Sequence, residues 1–313
     1  EPAIYSGMNN HQVPPANITP AATVILTREV AGKLQVYLLK RNVKSGFMAG
    51  NFVFPGGKVE AEDRQFDVFK SHSDLSPNEI YRRLGGELSE AEALAYGVAA
   101  VRETLEEAGV FLAHQNDRPD ASLEHVRNLR LSDNLTKDWF VKLLVKEKWQ
   151  LTISALLRWS HWITPELMTR RFDTRFLLAA MPTDQICRPD GRETVQGLWI
   201  SPKEGLKGNL AGKTPLSPPT LVTLHELLKY PRMEDLRIKS NRRQWGQTIM
   251  PRLVPIAKGA VIVEPWDPMY REKEIVIDPE DLAASVLAVG EPFSRIWYDG
   301  GLWKPVAIGN KTR

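Results

Sequence analysis

The residues "SEAEALAYGVAAVRETLEEAG", Ser89 to Gly109, constrain this chain more than any other stretch. Ser89 and Glu92 have the spacing of a capping box, which starts a helix by satisfying its orphan amides. Gly109 is placed to end the helix in the left-handed conformation. Between them lie about five turns. The last turns carry Glu103, Glu106 and Glu107. Residues three and four apart on a helix are neighbours, and like charges at that spacing cost ~0.2–0.5 kcal/mol per pair. The helix end is itself partly negative, which adds a similar penalty. Arg102 can pair with Glu106, but one arginine cannot neutralise three acids. A hard divalent cation such as Mg²⁺ or Mn²⁺ can, since it takes carboxylate oxygens and keeps waters and substrate phosphate in its shell. The helix alone does not favour the metal over a solvated acidic end, as many surface helices have.

The loop upstream narrows that choice. "FPGGKVE" holds Pro55-Gly56-Gly57, a turn whose backbone can approach a ligand closely, and Lys58 adds positive charge. Around these pieces the chain alternates sheet and helix signals. "ATVILTREV" and "LQVYLLKR" flank Ala31-Gly32-Lys33 and predict a hairpin. A second capping box, Ser76 with Glu79 and Pro77 between, predicts a helix to Leu84. "TKDWFVKLLVKEKW" has helical periodicity. "ALLRWSHWITP", "RFLLAAMP" and "ETVQGLWISP" read as strands, and "PPTLVTLHELLKY" as a helix. After about Pro231 the pattern turns to short strand-like pieces, with "DPEDLAASVLAV" as a short helix and Asp299-Gly300-Gly301 as a hairpin turn. The order predicts an α/β protein with a mixed sheet flanked by helices. We expect a flexible leader over residues 1–20, a core domain over 21–230 with a helical insertion at about 64–88, and an extension over 231–313 packed on that core.

Loop and acidic helix together resemble the Nudix box: glycine, five residues, an acid, seven residues, then Arg-Glu-aliphatic-x-Glu-Glu-x-Gly-aliphatic. Gly57 starts it, and Arg102, Glu103, Glu106, Glu107, Gly109 and Val110 match its second half. Asp63 stands at the first acidic position, and Thr104 replaces the first aliphatic. Residues 64 to 101 separate Asp63 from Arg102, an insertion of 31 over the family's seven. Such an insertion is similar to one Nudix subgroup, the animal peroxisomal coenzyme A diphosphatases and their bacterial relatives, as is "RRFDTRFLLA" from Arg170. The wider resemblance covers roughly residues 22–202.

The resemblance implies a Nudix-type α/β/α sandwich and metal-dependent hydrolysis of a small-molecule diphosphate. It implies that Glu103 and Glu107, with Glu106 nearby, hold Mg²⁺ or Mn²⁺, that the carbonyl of Gly56 joins them, and that Arg102 orients the glutamates. A base outside the box is common in such enzymes. Glu193 is the candidate, as base or further ligand; a plain strand-edge glutamate in the turn "DGRE" is equally open. "LLKRNVKSGFMAGNFVFPGG" keeps part of a coenzyme A signature, with Gly46 where a second arginine would stand. On that reading Arg41 contacts phosphate, together with Gly57 and Lys58; otherwise Arg41 is an exposed charge at a strand end. Coenzyme A or acyl-CoA, cut to 3′,5′-ADP and (acyl-)phosphopantetheine, is the first substrate expected. A dinucleotide or a nucleoside diphosphate sugar is the alternative. A non-catalytic ligand sensor would show damaged box acids, and all three glutamates are present.

Composition excludes several classes. A net charge of +3 gives no reason to expect a nucleic-acid partner. A lone cysteine, Cys187, cannot form an internal disulfide and reads as a plain thiol. No apolar run approaches a membrane span. The first twenty residues lack a signal peptide's basic start and apolar core, and the ending "KTR" is not a peroxisomal signal, so a cytoplasmic location is expected. His161 reads as a packed strand histidine, and Trp159 and Trp162 as core or pocket wall. Residues after about 203 can cover the site or make a dimer contact, so a homodimer stays open.

Overall fold

A computed structural model describes residues 17–44, 48–115 and 121–308. The architecture grows from one hairpin. β1 (Ile18–Val30) and β2 (Lys33–Arg41) pair antiparallel from Thr27↔Val36 to Val30↔Lys33. Ala31 and Gly32 both take positive φ, 50° and 71°, the twist-matched geometry of a two-residue hairpin loop. Beyond Thr27 and Val36 the two arms no longer pair, and a fork opens between them. Two short strands fill it: β3 (Phe52–Val53) pairs with β2, and β4 (Gly56–Lys58) pairs with β1. The Pro-Gly-Gly turn therefore sits in the crotch of the sheet.

A short helix, α1 (Phe66–Phe69), and α2 (Pro77–Leu84) precede the long helix α3 (Glu90–Ala108). Both capping boxes form, Ser76 with Glu79 and Ser89 with Glu92, and Gly109 is left-handed at φ 68°. A two-residue ladder, β5 (Ala113–His114) with β6 (Gln150–Leu151), encloses α4 (Ala121–Leu129) and α5 (Trp139–Glu147). β7 (Leu157–Ile163), β8 (Arg171–Ala180) and β9 (Thr194–Ile200) then complete a mixed sheet. β8 runs parallel to β1, and the other pairings are antiparallel. The sheet carries the order β3-β2-β1-β8-β7, with β9 on β2 and β4 on β1.

Side chains alternate across the sheet, so each strand feeds two cores. On one face Val24, Leu26, Leu39 and Leu177 pack under α3. On the other face Ile25, Leu38, Trp162 and Phe176 pack under α6 (Pro202–Leu210), α7 (Pro218–Leu227) and α8 (Met233–Asn241). A second sheet joins this face: β10 (Arg252–Pro255), β11 (Ala260–Val263), then, after the one-turn helix α9 (Pro279–Leu282), β12 (Arg295–Asp299) and β13 (Leu302–Val306). Ile262, Ile296 and Trp303 share one buried cluster with Leu221 and Leu224 of α7. Each such side chain contributes roughly 1.5–3 kcal/mol on burial, enough to hold residues 231–308 against the first sheet.

Three expectations need correcting. Residues 1–16 of the leader lie outside the described residues, but Ile18–Pro20 are not leader: they start β1, held by parallel pairing with Arg171–Asp173. The region after Pro231 opens with a helix, α8, before its strands. The helix in "DPEDLAASVLAV" is shorter than read. It ends at Leu282 and continues only as a 3₁₀ turn to Ser285. Among the described residues no helix is long and apolar enough to cross a membrane.

Candidate active site

The end of α3 and the fork of the sheet meet because two glycines leave room. At Gly56, with φ 157°, a Cβ would collide with the Ala22 carbonyl and with Thr23 on β1. At Gly57 a Cβ would overlap the Glu103 carboxylate. A side chain at Gly56 would push the turn off β1, and one at Gly57 would push it off the helix. The Gly56 amide donates to Glu107 Oε2 at 2.9 Å, tying the turn to the last box acid.

Arg102 is the hub of the charge cluster and is almost fully buried. Its Nε and Nη2 donate to the two carboxylate oxygens of Asp63, each at 2.8 Å. Its Nη1 donates to Glu103 Oε1 at 2.9 Å and to Glu106 Oε2 at 2.8 Å. Nη2 also reaches the Lys58 carbonyl at 2.9 Å. The 3₁₀ turn Glu62–Arg64 places Asp63, 2% exposed, for this bidentate pair, which only the planar guanidinium can make. Burial opposes the charge on Arg102, but the hydrogen bonds with Asp63 and the charges of Glu103 and Glu106 outweigh it and hold the group firmly protonated. Trp139 of α5 donates Nε1–H to Glu106 Oε1 at 3.2 Å.

Asp63, Glu103 and Glu106 thus surround a single guanidinium, with Glu107 beside them on the Gly56 amide. Burial pushes Glu103 up to about 7, and Glu106's charge adds to the rise against Arg102. Glu106 is raised by burial, with Arg102 opposing. Glu107 is raised well above the usual carboxylate range by burial and then by Glu103; Gly56 and Arg41 pull the other way. The helix-end carbonyls have separate partners. Arg130 donates to the carbonyls of Glu106 and Arg188, and Arg127 to that of Gly109. The backbone dipole is served; the carboxylate excess is not.

These acids form one end of a cavity of about 590 Å³, in the usual range for small-molecule sites. Glu103, Glu106, Glu107, Gly56, Gly57 and Lys58 line it, and so do Arg41 and Glu193. Nε of Arg41 is buried without a hydrogen-bond partner among the described residues. Glu193 is exposed in the turn before β9 and close enough to raise Glu107. The structure therefore brings all nine candidate residues together; Arg102, too, faces the cavity. Gly46, of the partial coenzyme A signature, lies outside the described residues.

The cluster is not a ready-made cage. Among the described residues no three His, Cys, Asp or Glu side chains are gathered to ligate one ion as they stand. Arg102 engages Glu103 and Glu106, and the Gly56 amide engages Glu107. Sequence reasoning missed two contacts. Asp63 was placed only as a family position, and its role as the partner of Arg102 needs the 3₁₀ turn that follows the fork. Trp139 falls in a stretch legible only as helical, with no local signal that it reaches Glu106. His161 is buried away from the cavity, with Nε2 2.7 Å from Asp173 and Nδ1 2.9 Å from Thr248. Trp159 is core and Trp162 is cavity wall. Burial pushes the Cys187 thiol up to about 12, so it stays protonated and inert.

Known proteins share this architecture. The "NUDT19 Nudix domain" profile matches residues 14–227. The acyl-coenzyme A diphosphatase NUDT19 of Xenopus laevis is 27% identical over 317 residues, covering 88% of this chain and 83% of that protein. Its Homo sapiens counterpart is 29% identical over 304 residues, covering 84% and 80%. Among solved structures, a NUDIX hydrolase from Alicyclobacillus acidocaldarius superposes with a TM-score of 0.57 at 24% identity, over 74% of this chain and 99% of that one. A fork-held glycine turn, an arginine-centred acid cluster and a profile match over most of the chain lead to one conclusion: this chain belongs to the NUDT19 group of Nudix hydrolases.

Proposed function

We propose that the chain hydrolyses the diphosphate bond of coenzyme A or its acyl esters, giving 3′,5′-ADP and (acyl-)phosphopantetheine. One observation carries the reading. Buried carboxyls in excess of cation, and Arg41 with its Nε lacking a hydrogen-bond partner among the described residues, share one end of a cavity whose remaining wall mixes apolar side chains with Arg170 and several hydroxyls. A diphosphate that carries an apolar arm fits both ends. The names of the relatives add the coenzyme A moiety.

Nudix hydrolases generally use divalent metal ions. The residues present suit Mg²⁺ or Mn²⁺. Their donors are hard oxygens, their charge is uncompensated, and among the described residues one oxygen each of Glu103 and Glu107 has no protein donor. Mg²⁺ is commonly bound by one or two carboxylates plus waters and substrate phosphate, so a preformed three-acid cage is not required. When bound, the ion would neutralise the diphosphate and lower the pKa of a bound water. The chain's own groups do the rest. Arg102 fixes the rotamers of Glu103 and Glu106. Arg41 offers a guanidinium to a phosphate, and Lys58 a second charge. Glu193, exposed and facing the acids, is the proposed base. Gly56 and Gly57 let the backbone meet the substrate at close range.

The test is to incubate the purified protein with Mg²⁺ and a panel of diphosphates, then separate the products. The panel comprises coenzyme A, acyl esters, a dinucleotide and a nucleoside diphosphate sugar. Release of 3′,5′-ADP from the coenzyme A compounds supports the reading. Preference for the dinucleotide or the sugar nucleotide would replace the substrate while keeping the chemistry. No hydrolysis of any compound would leave the sensor reading.

A further inference from the structure

The wall of the cavity along β8 has a direction, and Arg170, next in the same alternation, lies at its far end. Phe172, Thr174 and Phe176 all line it, as alternate residues of β8 must if they share a face. At about 3.3 Å per residue they span roughly 13 Å along the strand. Phe176 lies opposite Thr23 on β1, and Thr23 lies opposite Gly56 on β4. The Phe176 end is therefore level with the glycine turn and the acids, and the Phe172 end leads away from them.

The extension closes that far end. Ile249 bridges Trp162, which pairs with Thr174, so the chain enters at the level of Thr174. Two residues on, Pro251 lines the cavity. Ile262, paired with Leu253 on the next strand, lines it too and is 5% exposed. Nothing charged on the second sheet lines this wall. A substrate gripped by its diphosphate at the acids would send its arm along β8, against the wall to which Ile262 contributes.

We propose that Ile262, with Pro251 behind the entry point, sets the length of acyl chain the enzyme accepts. This rests on the coenzyme A reading above. Residues 231–308 then act in specificity, through a single side chain on β11, as well as in packing. Ile262 touches the arm, not the reacting phosphorus, so it is a specificity-determining residue and not a catalytic one.

The experiment measures kcat/KM for acetyl-, hexanoyl- and dodecanoyl-CoA with wild type, Ile262→Trp and Ile262→Ala. The readout is the dodecanoyl-to-acetyl ratio, which a general loss of folded protein does not move. Apolar pockets discriminate by about 10-fold or more per methylene-sized change. Ile262→Trp should lower the ratio by at least about 10-fold, and Ile262→Ala should raise it. Ratios within twofold of wild type in both variants would overturn the inference. So would an unchanged ratio with weakened inhibition by 3′,5′-ADP, which would put the nucleotide against this wall. Failure of wild type to hydrolyse any coenzyme A ester would overturn the parent reading and this inference together.

Discussion

Replacing Glu264 by glutamine should change how stability responds to pH. Glu264 follows β11, is 0% exposed, and has no hydrogen-bond partner for either carboxyl oxygen among the described residues. Arg295, which pairs with Val263 across the sheet, is engaged by Asp267 at 2.8 Å. Burial raises Glu264 from an ordinary 4.5 to about 8. The folded chain thus keeps a proton that the unfolded chain gives up near 4.5. Between those values the folded state binds one more proton, so stability falls as pH rises, by about 1.4 kcal/mol per pH unit. The contribution is intact below 4.5 and fully lost once pH passes about 8. Over that whole interval the loss reaches about 5 kcal/mol as an upper bound. Glutamine keeps the neutral shape and cannot ionise. Urea unfolding at pH 5, 6, 7 and 8 gives the difference between Glu264→Gln and wild type, in which every other titrating group cancels. That difference should grow in favour of glutamine as pH rises. A flat difference curve would refute the reasoning, because it would mean Glu264 has the same proton affinity folded and unfolded.

The acid cluster yields further predictions. Gly57→Ala should force the Glu103 carboxylate aside and cost about 100-fold in kcat/KM, with the circular dichroism spectrum unchanged. Arg102→Lys should destabilise by about 3 kcal/mol in urea, since an ammonium cannot hold both oxygens of buried Asp63. Thr104 bonds back to the Ala100 carbonyl at 2.7 Å. Thr104→Val, restoring the aliphatic residue usual there, should change stability by less than about 1 kcal/mol and leave turnover as it was.

Much of this architecture is written in short-range signals. The boxes at Ser76 and Ser89, the stop at Gly109 and the two-residue turn at Ala31-Gly32 each depend on residues within four positions of one another. Signals that depend on distant partners were harder to see. β1 begins at Ile18 because β8 runs beside it, 153 residues later in the chain at Arg171. β8 itself begins at Arg171, four residues before its apolar run, for the same reason. α6 does carry a capping box, Ser201 with Glu204, but Gly205 and Gly208 mask its helical character; Gly205 is there to pass Leu224. α8 has weak amphipathic character and is held by burying Leu236 alone among its apolar residues. At the site, Glu103, Glu106, Glu107 and Arg102 were legible because an unfavourable charge pattern needs a reason. Asp63 as clamp and Trp139 as donor were not, because each acquires its role across 39 and 33 residues.

The central claim is that carboxyls crowded at the end of α3 and facing the glycine turn carry the hydrolysis. The most direct measurement is the rate of 3′,5′-ADP release from coenzyme A at saturating Mg²⁺ by wild type and by Glu107→Gln. Glutamine can still accept the Gly56 amide but brings no charge. The account predicts a loss of at least about 100-fold, the scale of removing one electrostatic group from an active site. Equal rates for the two proteins would contradict it.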